Sequence, residues 1–162
     1  MRQLQIILET AYDNDLIYPE LLIMELLITM HFVKDFDLGA NGNLYGGRML
    51  DWLDEAGALF THGFFNEFFV TWKIGETIFH RPVKAKSIVK IYVKNVDVHS
   101  SSLSFDLVVR TGNLKVLTTS MVFVCVDPDT GKKKKIRQIP RCGENAEILR
   151  RCITKFDGVP IS

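Results

Sequence analysis

The chain has 162 residues, of which 47% are hydrophobic and 24% are charged. This size fits one domain that buries about two thirds of its unfolded surface, and the composition argues against disordered, collagen-like and disulfide-scaffold proteins. Lys and Arg number 20 against 19 Asp and Glu, a net charge of +1 that produces no field to attract DNA, RNA or an anionic membrane. We therefore expect a globular protein that binds neither nucleic acid nor membrane.

Cysteine and histidine usage indicates a reduced compartment and no metal. Cys125, Cys142 and Cys152 are widely spaced and form no C-x-x-C motif, and the histidines lack metal-ligand spacing. The apolar stretch at residues 16–30 contains Pro19 and two glutamates. It lacks the basic segment and the small-residue cleavage site that flank the apolar part of an export signal. We expect a cytoplasmic protein with free thiols, no metal and no redox cofactor.

The N-terminal part of the chain predicts an extension, a strand and a loop. Residues 1–23 remain an unassigned extension, either a partner-contacting arm or an over-extended start with Met24 as the alternative first residue. Residues 24–33 are rich in Ile, Thr, Phe and Val, which favours a strand. Asp, Asn and Gly dominate residues 34–45, which predicts a loop.

A helix is predicted from Gly47 onward. Apolar residues recur at helical spacing and leave little of the circumference polar, so we expect a buried helix. It is predicted to end near His62 and Gly63, where glycine can adopt the left-handed conformation.

The following segments alternate apolar and polar residues and predict strands. They are residues 68–79, 87–98, 103–110 and 115–126. Pro82 separates the first two, Gly112 marks a hairpin turn, and Asp127 begins the turn that ends the last strand. Strands joined by tight turns predict an antiparallel meander.

These elements predict one α+β domain over residues 24–136, in which a curled antiparallel sheet wraps around one long central helix. Residues 137–162 form a polar, basic tail in which a short helix is expected around residues 145–155.

The double glycine Gly46-Gly47 at the predicted helix start is the sharpest local feature. Amides there are not covered by side chains, and the helix dipole favours negative charge, so they can stabilise an oxyanion. A tight turn that needs positive φ is the alternative explanation.

Three carboxylates follow on the same helix. Asp54 has core-like neighbours, and burying an unpaired carboxylate is costly, so Asp54 is either paired or retained for a purpose. Asp51 and Glu55 fit a solvated stripe. Spacing alone does not separate Asp51 from Asp54.

These residues also form a recognisable pattern. Residues 41–57 read Asn-Gly-x-x-Tyr-Gly-Gly-x-x-Leu-x-x-x-Asp-x-x-Gly, followed by Val70-Thr71 and Phe79-x-x-Pro82-Val83. The pattern resembles the hotdog-fold acyl-CoA thioesterases, particularly the bacterial YciA-like branch, from about residue 24 to residue 136. The resemblance implies a hotdog fold and hydrolysis of acyl-CoA, with coenzyme A as part of the substrate and not a cofactor.

The resemblance also implies roles for individual residues. Asp54 matches the catalytic carboxylate, the backbone amide of Gly47 matches the group that binds the thioester oxygen, and Asn41 matches a loop asparagine. It implies a homodimer with two shared active sites, often assembled into hexamers. One departure stands out: Asp37-Leu38-Gly39 replaces the Asp-Thr-Asn of many relatives, so one polar loop group is missing.

The spacing of the two main candidates argues for a shared site independently. Gly47 and Asp54 are about 10 Å apart along one helix, so no single carbonyl touches both. We therefore predict that Gly47 of one subunit faces Asp54 of its partner. Asp54 acts as general base or as nucleophile, and Thr71 either positions the water or the carboxylate or is an ordinary strand residue.

The phosphates of coenzyme A require cations. The candidates are Arg81, Arg110 and Lys115, with His80, the lysines of residues 132–135 and Arg137 as further ones. Each of them is alternatively a solvated surface charge. The candidates for an acyl tunnel, which core packing explains equally well, are Met49, Trp52, Phe60, Phe64 and Phe65.

Two other functions compete with hydrolysis. A non-catalytic acyl-CoA-binding module is possible on the same fold. A hotdog dehydratase requires a histidine in the glycine-rich segment, and none lies between Lys34 and Phe60.

Overall fold

The computed structural model describes residues 25–65, 67–137 and 152–156. The elements in chain order are β1 (Leu26–Phe32), a short 3-10 helix (Asp35–Asp37), α1 (Gly46–Phe64), β2 (Phe69–Phe79), β3 (Ile88–Val98), β4 (Ser102–Thr111), β5 (Leu114–Cys125) and β6 (Ile153–Phe156). The predicted extension at residues 1–23 and Cys142 lie outside the described residues. The predicted helix and the main strands are confirmed to within a few residues.

The sheet order is β1-β3-β4-β5-β2, with antiparallel neighbours throughout, and β6 pairs in parallel with β3. The expected meander is correct for β3, β4 and β5. Gly112, at a φ of 55°, supplies the tight turn between β4 and β5. The meander is wrong for β2 and β3, which are not neighbours, because the segment at residues 80–87 is a long connection and not a tight turn.

The core lies between the sheet and one face of α1. Met49, Leu53, Ala56 and Phe60 on that face are buried. The Phe60 ring packs edge-on against Phe105 of β4, with their centroids 5.0 Å apart. Hydrophobic burial of this kind supplies most of the stability of a small domain.

The opposite face of α1 is exposed, which corrects the expectation of a helix buried on most sides. Asp51, Asp54, Glu55 and Leu59 are all exposed on it. The sheet covers only one side of the helix, and no other described element packs on the second side.

Two predicted ends differ from the structure. Gly63 lies inside α1 without positive φ, and the helix ends at Phe64, where the N–H of Phe65 donates to the carbonyl of Thr61. A short helix is predicted around residues 145–155, of which the structure describes residues 152–155. A strand, β6, begins there at Ile153 instead, because the edge of β3 offers hydrogen-bond partners that local periodicity does not reveal. No described helix is both long and apolar enough to span a membrane.

Candidate active site

The N-terminus of α1 has amides without a side-chain cap. Tyr45 occupies the capping position with extended backbone, and its side chain forms no capping hydrogen bond. The first intrahelical bond is donated by the N–H of Met49 to the carbonyl of Tyr45 at 3.1 Å. The amides of Gly46, Gly47 and Arg48 precede it, so they remain available to an external acceptor in the described part of the chain.

Space, and not backbone conformation, explains the glycine at position 47. Neither Gly46 nor Gly47 has positive φ, because both belong to the first helical turn. A Cβ at Gly47 would overlap the ring of Tyr45, whereas a Cβ at Gly46 would make ordinary contact with Phe79 at 3.6 Å. The Tyr45 ring is 62% exposed and lies beside the free amides.

Asp54 is held by a side chain from the sheet. The hydroxyl of Thr71, on β2, donates a hydrogen bond to Asp54 Oδ1 at 2.6 Å. Both residues are exposed in the single chain, although the helix neighbours Leu53 and Gly57 are buried as expected. Among the described residues, no hydrogen bond or ion pair reaches Oδ2 of this carboxylate.

The other two helix carboxylates have different neighbours. Asp51 lies 3.4 Å from Arg48, one turn earlier. Glu55 lies 4.0 Å from the imidazole of His31. The structure therefore separates Asp54 from Asp51 by the contact with Thr71, which the sequence does not provide.

An ion pair that sequence reasoning missed fixes the loop before the helix. Asp37 is 4% exposed, accepts the N–H of Lys34 at 2.9 Å and lies 3.2 Å from Nε of Arg48. Its backbone carbonyl accepts the N–H of Tyr45 at 2.9 Å. Asp37 therefore connects the loop to the first turn of α1. The one local indication of this role in the sequence is an aspartate three residues after Lys34.

A stacked pair was also missed. The rings of His31 and Trp52 lie 4.5 Å apart and nearly parallel. Burial lowers the pKa of His31 below its usual value, and the carboxylates of Glu55 and Asp37 oppose this shift. His31 is therefore an uncharged side chain that packs β1 against α1 at neutral pH.

Asn41 is engaged with its own loop. Its side-chain oxygen accepts the N–H of Asn43 at 3.1 Å, in a turn where Gly42 has a φ of 68°. The N–H of Gly39 donates to the carbonyl of Asn43 at 2.8 Å. The loop is therefore closed by hydrogen bonds of its own, and no side chain stands at position 39.

A cavity of about 280 Å³ lies beside the start of α1. Its lining includes Asn43, Leu44, Met49, Arg81, Val83 and Val116. Of the three main phosphate candidates, only Arg81 lines this cavity.

The other predicted cations have their own contacts. Arg110 donates to both oxygens of Glu25 at 2.9 and 3.0 Å, and these hydrogen bonds raise its pKa. Lys115 lies opposite Arg110 in the β4–β5 ladder and is exposed. Lys134, from the lysine run, contacts Glu67 at 2.6 Å.

Three of the predicted tunnel residues, Met49, Phe60 and Phe65, are buried core residues, whereas Trp52 and Phe64 are partly buried at its margin. Within the described part of the chain, no cluster of His, Cys, Asp and Glu has metal-binding geometry.

Comparison with solved structures identifies the architecture. A hexameric broad specificity acyl-coenzyme A thioesterase, HI0827, superposes with a TM-score of 0.67 at 21% identity, over 78% of this chain and 96% of its own. The hexameric thioesterase y2039 from Yersinia pestis gives 0.65 at 22% identity, over 72% of this chain and 96% of its own. Cj0915, a hexameric hotdog fold thioesterase of Campylobacter jejuni, superposes with a TM-score of 0.63 at 26% identity, over 76% of this chain and 95% of its own.

No curated protein sequence matches the chain significantly. The sequence profile of the thioesterase superfamily matches residues 41–118, which include the glycine-rich loop, α1, β2, β3 and β4. This chain therefore has the hotdog fold, with one long helix packed against a curled antiparallel sheet, and its central segment matches the thioesterase superfamily.

Proposed function

We propose that this chain hydrolyses the thioester of an acyl-CoA to a carboxylic acid and coenzyme A, without a metal or redox cofactor. The observation that carries the proposal is the Asp54 carboxylate, held by Thr71 at 2.6 Å on the helix whose N-terminal amides are uncapped. The match to the thioesterase superfamily and the names of the solved neighbours support it. We further propose, on the motif at residues 41–57, that the chain belongs to the YciA-like branch of the hotdog thioesterases. The proposal includes a cytoplasmic enzyme whose catalytic domain spans residues 24–136.

The uncapped amides supply the electrostatic part of the mechanism. The thioester oxygen accepts a hydrogen bond from the Gly47 amide and gains negative charge in the transition state. A preorganised donor of this kind contributes about 3 kcal/mol in measured analogues. The dipole of α1 adds to the same stabilisation, because the positive end of the helix faces the oxygen.

Asp54 supplies the proton transfer or the attacking oxygen. As a general base, it removes a proton from water while the water oxygen attacks the carbonyl carbon; the carbon–sulfur bond then breaks and the proton passes to the departing thiolate. As a nucleophile, it attacks the carbonyl carbon, and the carbon–sulfur bond breaks with departure of the coenzyme A thiolate. Water then hydrolyses the mixed anhydride, which releases the carboxylic acid, regenerates the Asp54 carboxylate and supplies the proton that the thiolate takes up. In both cases Thr71 holds Oδ1 and directs Oδ2 toward the substrate.

The site is proposed to be shared between two subunits. Gly47 and Asp54 are about 10 Å apart along α1, so one carbonyl meets both only when they come from different chains. β2 is an edge strand on which several apolar residues are exposed, Trp72 by 74%. A second copy that pairs along β2 covers these residues and the open face of α1, and three such dimers would make the hexamer for which several solved neighbours are named.

The phosphates of coenzyme A are proposed to bind Arg81, which lines the cavity and has no carboxylate partner among the described residues. Arg110 and Lys115 remain candidates for the same role. Asn41 is proposed to shape the loop over the substrate through its hydrogen bond to Asn43.

The test is thiol release from acetyl-, hexanoyl- and palmitoyl-CoA by the wild type and by Asp54→Asn. We expect turnover to fall at least about 100-fold, with an unchanged Tm, because asparagine keeps the shape and removes the base. Asp51→Asn is the matched control, since Asp51 is an exposed carboxylate one turn earlier, and it should keep full activity. Full activity in Asp54→Asn would move the assignment to Asp51, whereas no thiol release by the wild type would leave the non-catalytic acyl-CoA-binding module.

A further inference from the structure

The ring of Tyr45 lies between two glycines at the start of α1. A Cβ at Gly47 would overlap one edge of the ring, at 3.0 Å from Cζ and 3.2 Å from Cδ1, and a Cβ at Gly39 would lie 3.7 Å from Cδ2 on the other edge. The backbone N–H of Tyr45 donates to the carbonyl of Asp37 at 2.9 Å. The loop therefore holds the backbone of Tyr45, and two positions without side chains leave room for its ring.

A second cavity at the start of α1, of about 230 Å³, lies against this ring. Besides Tyr45, which is 62% exposed, its lining includes Gly39, Asn41, Leu44 and Gly46. The volume is below the range of sites for drug-sized molecules, so the cavity suits a reacting group and a few carbon atoms of its chain. The Tyr45 ring is the largest side chain on its wall.

Tyrosine is also an unusual residue at the capping position of a helix. Ser, Thr, Asp and Asn are preferred there, because their side-chain oxygens accept a hydrogen bond from the N–H of the second or third helical residue. In α1 these residues are Gly47 and Arg48, and the Tyr45 side chain forms no capping hydrogen bond. The chain therefore forgoes a stabilising contact at this position and leaves the Gly47 amide uncovered.

We propose that Tyr45 is a specificity-determining residue of the proposed thioester site: its ring forms the wall beside the Gly47 amide, and its inability to cap the helix leaves that amide to the substrate oxygen. The inference rests on the proposed function, since it takes the group that accepts from Gly47 to be a thioester carbonyl. An oxygen bound to this amide lies beside the ring, because the ring occupies the space of a side chain at position 47.

The two cavities at the helix start indicate which part of the substrate meets the ring. Arg81, the proposed phosphate ligand, lines the cavity of about 280 Å³ and does not line the one beside Tyr45. The coenzyme A arm is therefore expected on the side of Arg81 and the acyl chain on the side of Tyr45. The ring then limits the width of the acyl group at the carbon next to the carbonyl.

Three substitutions at position 45 separate the ring from the cap. Tyr45→Phe keeps the ring, Tyr45→Ala removes it, and Tyr45→Ser removes it and adds a capping oxygen. The backbone is extended, at a φ of −64° and a ψ of 130°, so serine is able to cap α1. The Tm of Tyr45→Ser should exceed that of Tyr45→Ala by about 2–4 °C, and Tyr45→Phe should keep the wild-type Tm.

The substrates are butanoyl-CoA and 2-methylpropanoyl-CoA, two isomers that differ only in branching next to the carbonyl. Loss of the ring should raise kcat/KM for the branched isomer relative to the straight one about tenfold in Tyr45→Ala and Tyr45→Ser. Tyr45→Phe is the matched control and should keep the wild-type ratio. Tyr45→Ser should also be about tenfold less active than Tyr45→Ala on both isomers, because its oxygen competes for the Gly47 amide.

An unchanged isomer ratio in Tyr45→Ala or an altered ratio in Tyr45→Phe would overturn the proposal. A serine variant that is no more stable than the alanine variant, or equally active, would overturn it as well. Failure of the proposed function looks different, since the wild type would then release no thiol from either isomer. In that case calorimetry of both isomers with Asp54→Asn, alone and combined with each substitution, measures the same ratio as an affinity, and the Tm comparison needs no turnover.

Discussion

Thr71 is the residue that distinguishes Asp54 from the other carboxylates of α1. Asp51 contacts Arg48 and Glu55 contacts His31, whereas Asp54 accepts a hydrogen bond from the Thr71 hydroxyl on β2. A carboxylate that is held at one oxygen presents the other in a fixed direction, which lowers the entropy lost when substrate or water is positioned. The Thr71 hydroxyl is thus a positioning group for the proposed base.

Thr71→Val tests whether the Thr71 hydroxyl positions Asp54. Valine keeps the β-branched shape that a strand favours and removes the donor, so kcat should fall by about tenfold to 100-fold while KM and Tm change little. Thr71→Ser retains a hydroxyl and should recover most of the activity. Steady-state kinetics and thermal melts of the wild type and the two variants measure these effects. If Thr71→Val kept the wild-type kcat, Thr71 would be an ordinary strand residue.

At the scale of elements, the contact between α1 and β5 depends on a glycine. A Cβ at Gly57 would lie 2.6 Å from Cε2 of Phe123 and 2.7 Å from its Cζ. Phe123 is buried and stacks on Phe105, so its ring has no free space to move into. The absence of a side chain at position 57 therefore sets how closely the helix approaches the sheet.

Gly57→Ala should lower the free energy of unfolding by about 1–3 kcal/mol, because overpacking outweighs the gain in helix propensity. Gly63→Ala is the control on the same helix, where a Cβ meets no atom within 4 Å. It should raise the stability by up to about 1 kcal/mol. Denaturant unfolding measures both changes, and equal effects of the two substitutions would contradict the close approach at Phe123.

At the scale of the whole molecule, the single chain is open on one side. β2 lies at the edge of the sheet, and Val70, Trp72, Ile74 and Ile78 on it are exposed. An unpaired edge strand with exposed apolar residues is a template for pairing with another chain. The proposed active site lies at this surface, so catalysis and association are expected to be lost together.

Mixed dimers provide the test of a shared site. Asp54→Asn and Gly47→Val should each be inactive alone, the first without a base and the second with a side chain against the Tyr45 ring and the free amides. Co-expression in equal amounts makes half of the dimers mixed, with one intact site in each, so about one quarter of the wild-type sites should be recovered. Sedimentation checks the association, and two Asp54→Asn preparations mixed together serve as the blank. Exchange into mixed dimers without recovered activity, or a monomer, would refute the shared site.

Local features of this protein were predictable from the sequence alone. The helical spacing before Phe60, the alternation in β3 to β5 and the turn at Gly112 each depend on residues within a few positions of one another, so the chain shows them without its tertiary structure. The glycine-rich helix start was found the same way, because chemistry at a helix N-terminus leaves a short, contiguous motif. Asp54 was singled out only through the family resemblance, since spacing alone does not separate it from Asp51.

The tertiary structure alone decided what depends on distant partners. The place of β2 beyond β5, the open face of α1 and the Thr71–Asp54 hydrogen bond join segments whose spacing carries no periodic signal. The buried side-chain oxygen of Asn43, which has no partner among the described residues, is of the same kind, since an asparagine in a loop is expected to be solvated. Local propensity acts through adjacent residues, whereas burial and pairing are set by which surfaces the folded chain brings together.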